Sequence, residues 1–240
     1  MTDLVILVGG RGSRLGNLTL STPKPLLKIN NKRFLDILLS KLISYNFNKI
    51  YLLCSYKKKI FFDLYHNKKI HNSKIICINE GKQKDTGGAL FQLKKKIIKD
   101  FFLLNGDSFL DIDLFSLSKK VPKNVIGTMA VTINNQRIKN IKIDNLLIDK
   151  SGYIKHSSTE TSLINAGIYF FKKKIFDFIS NKRISLENDI LKDLISKKKI
   201  KGILSNNRFL DIGSNKNLSF LKKNPSYFSQ KTVFLDRDGV

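Results

Sequence analysis

Short apolar runs separated by stretches of helical periodicity constrain this chain more than any other feature. LVILV (4–8), KIYLLC (49–54), KIICIN (74–79) and the apolar start of DFFLLNGD (100–107) are rich in Ile, Val, Leu and Phe. Runs of that kind suit strands buried on both faces, and such strands need helices above and below the sheet. Between the first two runs, Leu35, Leu38, Leu39, Leu42 and Ile43 recur at helical spacing and predict a helix over 34–45. Further helices are expected near 57–66 and over 87–99, with FFLL leading into the carboxylate of Asp107 as a fourth strand. The second half carries the strand-like segments 126–133, 145–156 and 164–171, then helical stretches near 173–180 and 185–198. The expected class is α/β, with a mixed, mostly parallel central sheet, helices on both faces and a mixed insertion over the carboxyl edge.

At 240 residues and 42% hydrophobic, the chain is long enough to bury a sizeable core. One domain is expected over 1–223, followed by a linker at 224–230 (NPSYFSQ) and a new strand beginning in 231–240. No stretch approaches the length of a membrane span, and the opening MTDLVILVGG has no charged n-region, so the expected location is cytoplasmic without a membrane partner. The net charge of +25 would fit a nucleic-acid binder, but only seven of the 44 basic residues are Arg and Trp is absent. The lysines fall in short runs at 57–59, 94–96, 172–174 and 197–199, which reads as solvated surface with some long-range attraction for anionic substrates. No nucleic-acid partner is expected. Cys54, Cys77 and the scattered His66, His71 and His156 offer neither a disulfide framework nor a zinc site.

Directly after the first strand come GGRGSRL (9–15) and STPKPL (21–26). Glycines there let backbone N–H groups close on a phosphate, and Arg11 and Arg14 add positive charge. The combined string resembles the signature of the sugar-1-phosphate nucleotidyltransferases, which join a sugar phosphate to a nucleoside triphosphate and release pyrophosphate. EGKQKDTGGAL (80–90), NGD (105–107), NAGIY (165–169), SLE (185–187) and DIGS (211–214) follow in the order that family requires, so the resemblance spans about 3–222.

The resemblance implies a Rossmann-like fold and a set of roles. Arg14 and Lys24 would be the catalytic cations, on the leaving pyrophosphate and on phosphate oxygens near the reacting centre. Leu7, Gly9, Gly10, Gly12, Ser13, Glu80, Thr86, Gly87 and Gly88 would bind the nucleotide, and Asn105, Gly106, Asn165, Gly167 and Glu187 the sugar. Asp107, at a strand's carboxyl end, and Asp211 would hold Mg²⁺, a hard ion that prefers carboxylate oxygen.

Glu80 stands where uridylyl- and thymidylyltransferase relatives carry Gln. A carboxylate offers only acceptors, which suits the adjacent N1–H and N2–H donors of guanine and repels the N1 acceptor of adenine. The expected substrates are therefore GTP and a sugar 1-phosphate, with the similarity running towards D-glycero-α-D-manno-heptose 1-phosphate guanylyltransferases and a mannose-1-phosphate guanylyltransferase, or another NDP-sugar pyrophosphorylase using a different nucleotide, as the alternative. Two departures stand out: Asp85 replaces the usual Gly before Thr86, and the Glu-Lys pair expected before NAGIY is missing, Lys155 being the candidate replacement. Either departure would fit a catalytically silent nucleotide-binding module. The tail KTVFLDRDGV (231–240) resembles the first motif of haloacid dehalogenase-type phosphatases. That implies a phosphatase domain as a further partner; a homo-oligomer is a second possibility.

Overall fold

The computed structural model describes residues 1–81, 84–119, 121–133, 145–159, 161 and 163–228. The proposed phosphatase-like tail at 231–240 lies outside the described residues. The first apolar run forms β1 (Asp3–Leu7). Successive strand side chains point to opposite faces, so Leu4 and Ile6 enter one apolar cluster and Val5 the other. A helical turn α1 (Leu18–Ser21) and the small hairpin of β2 (Lys28–Ile29) and β3 (Lys32–Arg33) lead into α2 (Phe34–Lys41). The alternation continues through β4 (Lys49–Cys54), α3 (Lys58–Tyr65), β5 (Lys69–Ile70), β6 (Ser73–Asn79), α4 (Asp85–Leu90) and β7 (Phe101–Asn105).

The second half runs through β8 (Ser108–Leu110), α5 (Leu114–Ser118), β9 (Gly127–Ile133), β10 (Leu146–Ile148), β11 (Ile154–His156) and β12 (Leu163–Phe171). A π-helical turn at Leu186–Leu191 passes into α6 (Lys192–Ser196), and β13 (Ile200–Ser205), β14 (Phe209–Asp211) and α7 (Asn215–Lys223) complete the fold.

In the main sheet β7, β1, β4 and β6 lie side by side and parallel, with β5 antiparallel at the edge. Beyond β7 the sheet continues as β12, β9 and β13, while β10 and β11 attach at the start of β12. Helices α2, α3 and α5 cover one face and α4 and α6 the other, as the unbroken apolar runs require. A third apolar cluster, including Leu15, Phe34, Phe109, Leu210, Ile212, Leu218 and Leu221, supports the antiparallel pair of β8 and β14 beside the carboxyl edge.

Helix lengths differ from the sequence-based expectation. The helix expected over 34–45 ends at Lys41 and a separate 3₁₀ turn spans Ile43–Tyr45. The one expected over 87–99 starts at Asp85 and tightens to 3₁₀ from Phe91. Only a 3₁₀ segment, Lys173–Asp177, forms near 173–180. Strand β13 has no expectation behind it: its short apolar run is split by Gly202 and follows a lysine tract, which gives periodicity little to work with.

Candidate active site at the carboxyl edge of the sheet

The parallel strands β1, β4, β6 and β7 all end at one edge, where the loops after them converge. After β1, Gly12 adopts a left-handed conformation (φ 65°), and Leu15 N–H closes the turn onto Gly12 O at 2.9 Å. The buried Thr19 hydroxyl lies 3.1 Å from Gly12 O and 3.2 Å from Gly16 O. Tyr56, at the end of β4, holds the same segment by placing its hydroxyl 3.0 and 2.9 Å from the carbonyls of Thr19 and Leu20. The loop that exposes Arg11, Ser13 and Arg14 is therefore fastened at its base.

Lys24 follows in a 3₁₀ turn and its ammonium reaches Asp107 Oδ2 at 2.5 Å. The Lys24 side chain is 11% exposed. Ser108 donates to Asp107 Oδ1 at 3.2 Å. Pairing of β8 with β14 sets Asp211 opposite Ser108, and Ile212 N–H donates to Asp107 O at 2.9 Å, so the two carboxylates share one corner. Gly213 N–H donates to Asp211 Oδ1 at 2.5 Å. A Cβ on Gly213 would stand 3.2 Å from Lys24 Nζ, which places the ammonium directly over that turn.

The donor chemistry of Asp107 and Asp211 fits Mg²⁺, which is commonly held by one or two carboxylates with water and phosphate oxygens completing its shell. The cation already drawn to Asp107 shows that the corner favours positive charge. Among the described residues there is no group of three or more His, Cys, Asp or Glu side chains able to hold a metal ion.

Glu80 follows β6 and is 9% exposed. Its carboxylate packs on Gly9, where a Cβ would fall 2.5 Å from Oε1 and 2.7 Å from Oε2. Burial pushes its carboxyl group up to about 7, and it makes no hydrogen bond or ion pair among the described residues.

Across the cavity, Ser185 caps the π-helical turn by accepting from Asn188 N–H at 3.0 Å, which presents Glu187. Thr86 donates to Glu187 Oε2 at 2.6 Å and accepts from Leu186 N–H at 2.9 Å. The amides of Gly87 and Gly88 both donate to Ile184 O, at 3.0 and 3.1 Å. These two glycines thus pack the 182–190 segment against α4, and line neither cavity described below. Asp85 has φ 53°, a left-handed conformation that explains why Gly is usual there. Its carboxylate pairs with Arg183 Nε at 2.8 Å.

Asn105 ends β7 opposite Leu7, and Gly106 N–H donates to Leu7 O at 2.9 Å. Asn165 accepts from Gly167 N–H at 2.9 Å and donates to Tyr169 OH at 2.6 Å, stabilising an irregularity in the pairing of β12 with β9. At Gly167 (φ 72°) a Cβ would fall 2.6 Å from Asn105 Nδ2, so its bare backbone seats Asn105.

Two adjoining cavities result. The larger, about 720 Å³, has Gly9, Arg11, Tyr56, Glu80 and Arg183 in its wall. The smaller, about 260 Å³, has Gly12, Ser13, Arg14, Lys24, Asn105 and Asp107. Leu7, Gly10, Thr86 and Glu187 line both. Gly106, Asn165, Gly167 and Asp211 stand behind these walls. Lys155 is not the replacement cation: it lies on β11 and pairs with Asp149 at 3.1 Å. Arg183, Tyr56 and Lys57 are wall residues that sequence reasoning passed over, because they carry no motif of their own and reach the cavity only through folding.

A parallel sheet with a glycine-rich loop, paired carboxylates and cations at its carboxyl edge defines an α/β protein built to bind phosphorylated ligands. The profile of the nucleotidyl transferase family matches residues 4–142, and the chain belongs to that family. It is 35% identical over 216 residues to the bifunctional protein GlmU of Methanococcus aeolicus, covering 88% of this chain and 51% of that protein. The chain thus spans about half the length of the GlmU relatives it matches. It is 30% identical over 211 residues to the D-glycero-alpha-D-manno-heptose 1-phosphate guanylyltransferase of Campylobacter jejuni, covering 87% of this chain and 93% of that enzyme. The solved structure of HddC from Yersinia pseudotuberculosis superposes with a TM-score of 0.76 at 28% identity, covering 93% of this chain and 99% of that one. A second HddC structure is a complex with GMP-PN. No helix among the described residues is long and apolar enough to cross a membrane.

Proposed function

We propose that this chain is a Mg²⁺-dependent guanylyltransferase that joins a sugar 1-phosphate, D-glycero-α-D-manno-heptose 1-phosphate by preference, to GTP. The observation that carries the reading is the pair of adjoining cavities, with a buried carboxylate that has no partner among the described residues in one and a cation–carboxylate corner in the other. The name of the Campylobacter relative and the GMP-PN complex of HddC support it.

Glu80, when ionised, accepts from guanine N1–H and N2–H. The glycine loop and Arg14 receive the phosphates, with Arg14 neutralising the pyrophosphate that leaves. Glu187, oriented by Thr86 and Ser185, accepts from sugar hydroxyls. An oxygen of the sugar phosphate attacks the α-phosphorus, and the bond from that phosphorus to the oxygen bridging to the β-phosphate breaks. Positioning and charge neutralisation suffice, without a covalent enzyme intermediate. Asp107 and Asp211 would hold Mg²⁺, which would supply further neutralisation of phosphate charge. A reaction that draws on GTP belongs in the cytoplasm, and its product would serve surface polysaccharide synthesis.

The higher identity to the GlmU proteins favours a second reading, in which another nucleoside triphosphate or sugar phosphate is used. Pyrophosphate release, measured across four nucleoside triphosphates with heptose, mannose and glucose 1-phosphates, separates the two. GTP with the heptose gives the strongest signal, and Asp107→Ala reduces it by a factor on the order of 100 or more, equivalent to about 2.7 kcal/mol. A stronger signal with another pair establishes the second reading; silence from folded protein overturns both.

A further inference from the structure

We infer that Lys24 fills the cation position of the Asp107–Asp211 corner in the ligand-free protein, so that a divalent ion binds well only when a triphosphate draws Lys24 away. The inference rests on the proposed metal role of those carboxylates and adds an order of binding to it.

The corner is already committed. Asp107 Oδ2 holds the Lys24 ammonium at 2.5 Å, and Asp107 Oδ1 accepts from Ser108. Asp211 Oδ1 accepts from Gly213 N–H at 2.5 Å. The ammonium also lies over Gly213, within the turn that orients Asp211. A divalent ion arriving alone must break the ion pair and then sit near the displaced ammonium, a like charge. Side-chain exposures of 11% for Lys24 and 32% for Asp107 limit the screening that water gives either step.

A triphosphate changes both conditions. Lys24 lines the smaller cavity together with Ser13 and Arg14, where phosphate oxygens would offer the ammonium a new acceptor. Moving towards them frees Asp107 Oδ2 and replaces the like charge with anionic ligands. Nucleotide and metal then strengthen each other's binding, as reciprocal linkage requires.

Electron paramagnetic resonance of Mn²⁺ added to the nucleotide-free chain reads this without any turnover. Lys24→Met and Lys24→Gln should bind Mn²⁺ roughly tenfold or more tightly than wild type, on the scale of removing one nearby like charge. The gain should disappear when Asp107→Asn is added. Gln keeps a polar donor near Asp107 and serves if the Met variant fails to fold by circular dichroism. Affinity in either folded variant no greater than in wild type overturns the proposal. So does a tight Mn²⁺ site in nucleotide-free wild type that Asp107→Asn abolishes, an arm that needs no Lys24 variant. Loss of the proposed reaction would show instead as absent pyrophosphate release by wild type, whatever the Mn²⁺ titrations give.

Discussion

Glu80 joins stability and specificity in one side chain. Raising its carboxyl group from 4.5 to about 7 means that the folded chain holds this proton more tightly than the unfolded chain. Stability from this group is fully present below pH 4.5 and is lost as pH rises through 7, by about 3 kcal/mol at most. Urea unfolding at pH 5.5 and pH 8 should show that dependence in wild type relative to Glu80→Gln, which has no proton to lose. Guanine binding, as proposed for Glu80, would run the opposite way, because only the ionised carboxylate accepts from both donors. The KM for GTP should rise as pH falls below 7 in wild type, and Glu80→Gln should lose that dependence while favouring a pyrimidine nucleotide. An unchanged GTP preference in the Gln variant would remove Glu80 from base recognition. The sequence already marked Glu80 as a replacement for Gln, but its burial against Gly9 comes from the approach of β1 and β6 through β4.

At the scale of elements, the glycine loop works because other elements fasten it. Thr19 on α1 bonds the loop, and Tyr56 after β4 bonds α1. Thr19→Val keeps the volume but removes the hydroxyl bond, and because Gly12 O keeps Leu15 N–H and Gly16 O keeps the Thr19 amide, the loss should be only about 1 kcal/mol of stability. It should also raise KM for the nucleotide several-fold, and Thr19→Ser should restore both. Calorimetry beside initial rates checks this, and a stability loss without a KM change would confine Thr19 to a structural role. The loop motif was legible because it is contiguous; its tether was not, because Tyr56 stands 37 residues from Thr19. The same holds for Gly87 and Gly88, whose motif suggested nucleotide contact while their amides are used by Ile184.

For the whole molecule, a charge of +25 would face the two anionic substrates of the proposed reaction. Long-range attraction of that kind is screened over about 10 Å at 0.1 M salt. kcat/KM should therefore fall as NaCl rises from 20 to 200 mM, by a factor on the order of 3–10, with kcat changing less. Equal loss in both parameters would assign the salt effect to the site instead of the surrounding field. The lysine runs are far apart in sequence, and their contribution is summed only by folding.

The sequence by itself determined the α/β class, the central parallel strands and the order of the motifs. Those properties depend on local apolar periodicity and on contiguous strings such as GGRGSRL and NGD. Tertiary structure alone decided that β8 and β14 bring Asp211 to Asp107, that Lys24 occupies Asp107, and that Arg183, rather than Lys155, stands at the cavity. Lys24 and Asp107, for example, meet across 83 positions of sequence. Periodicity reports which face a side chain takes, whereas the partner it meets is set by which strand ends the sheet gathers at one edge.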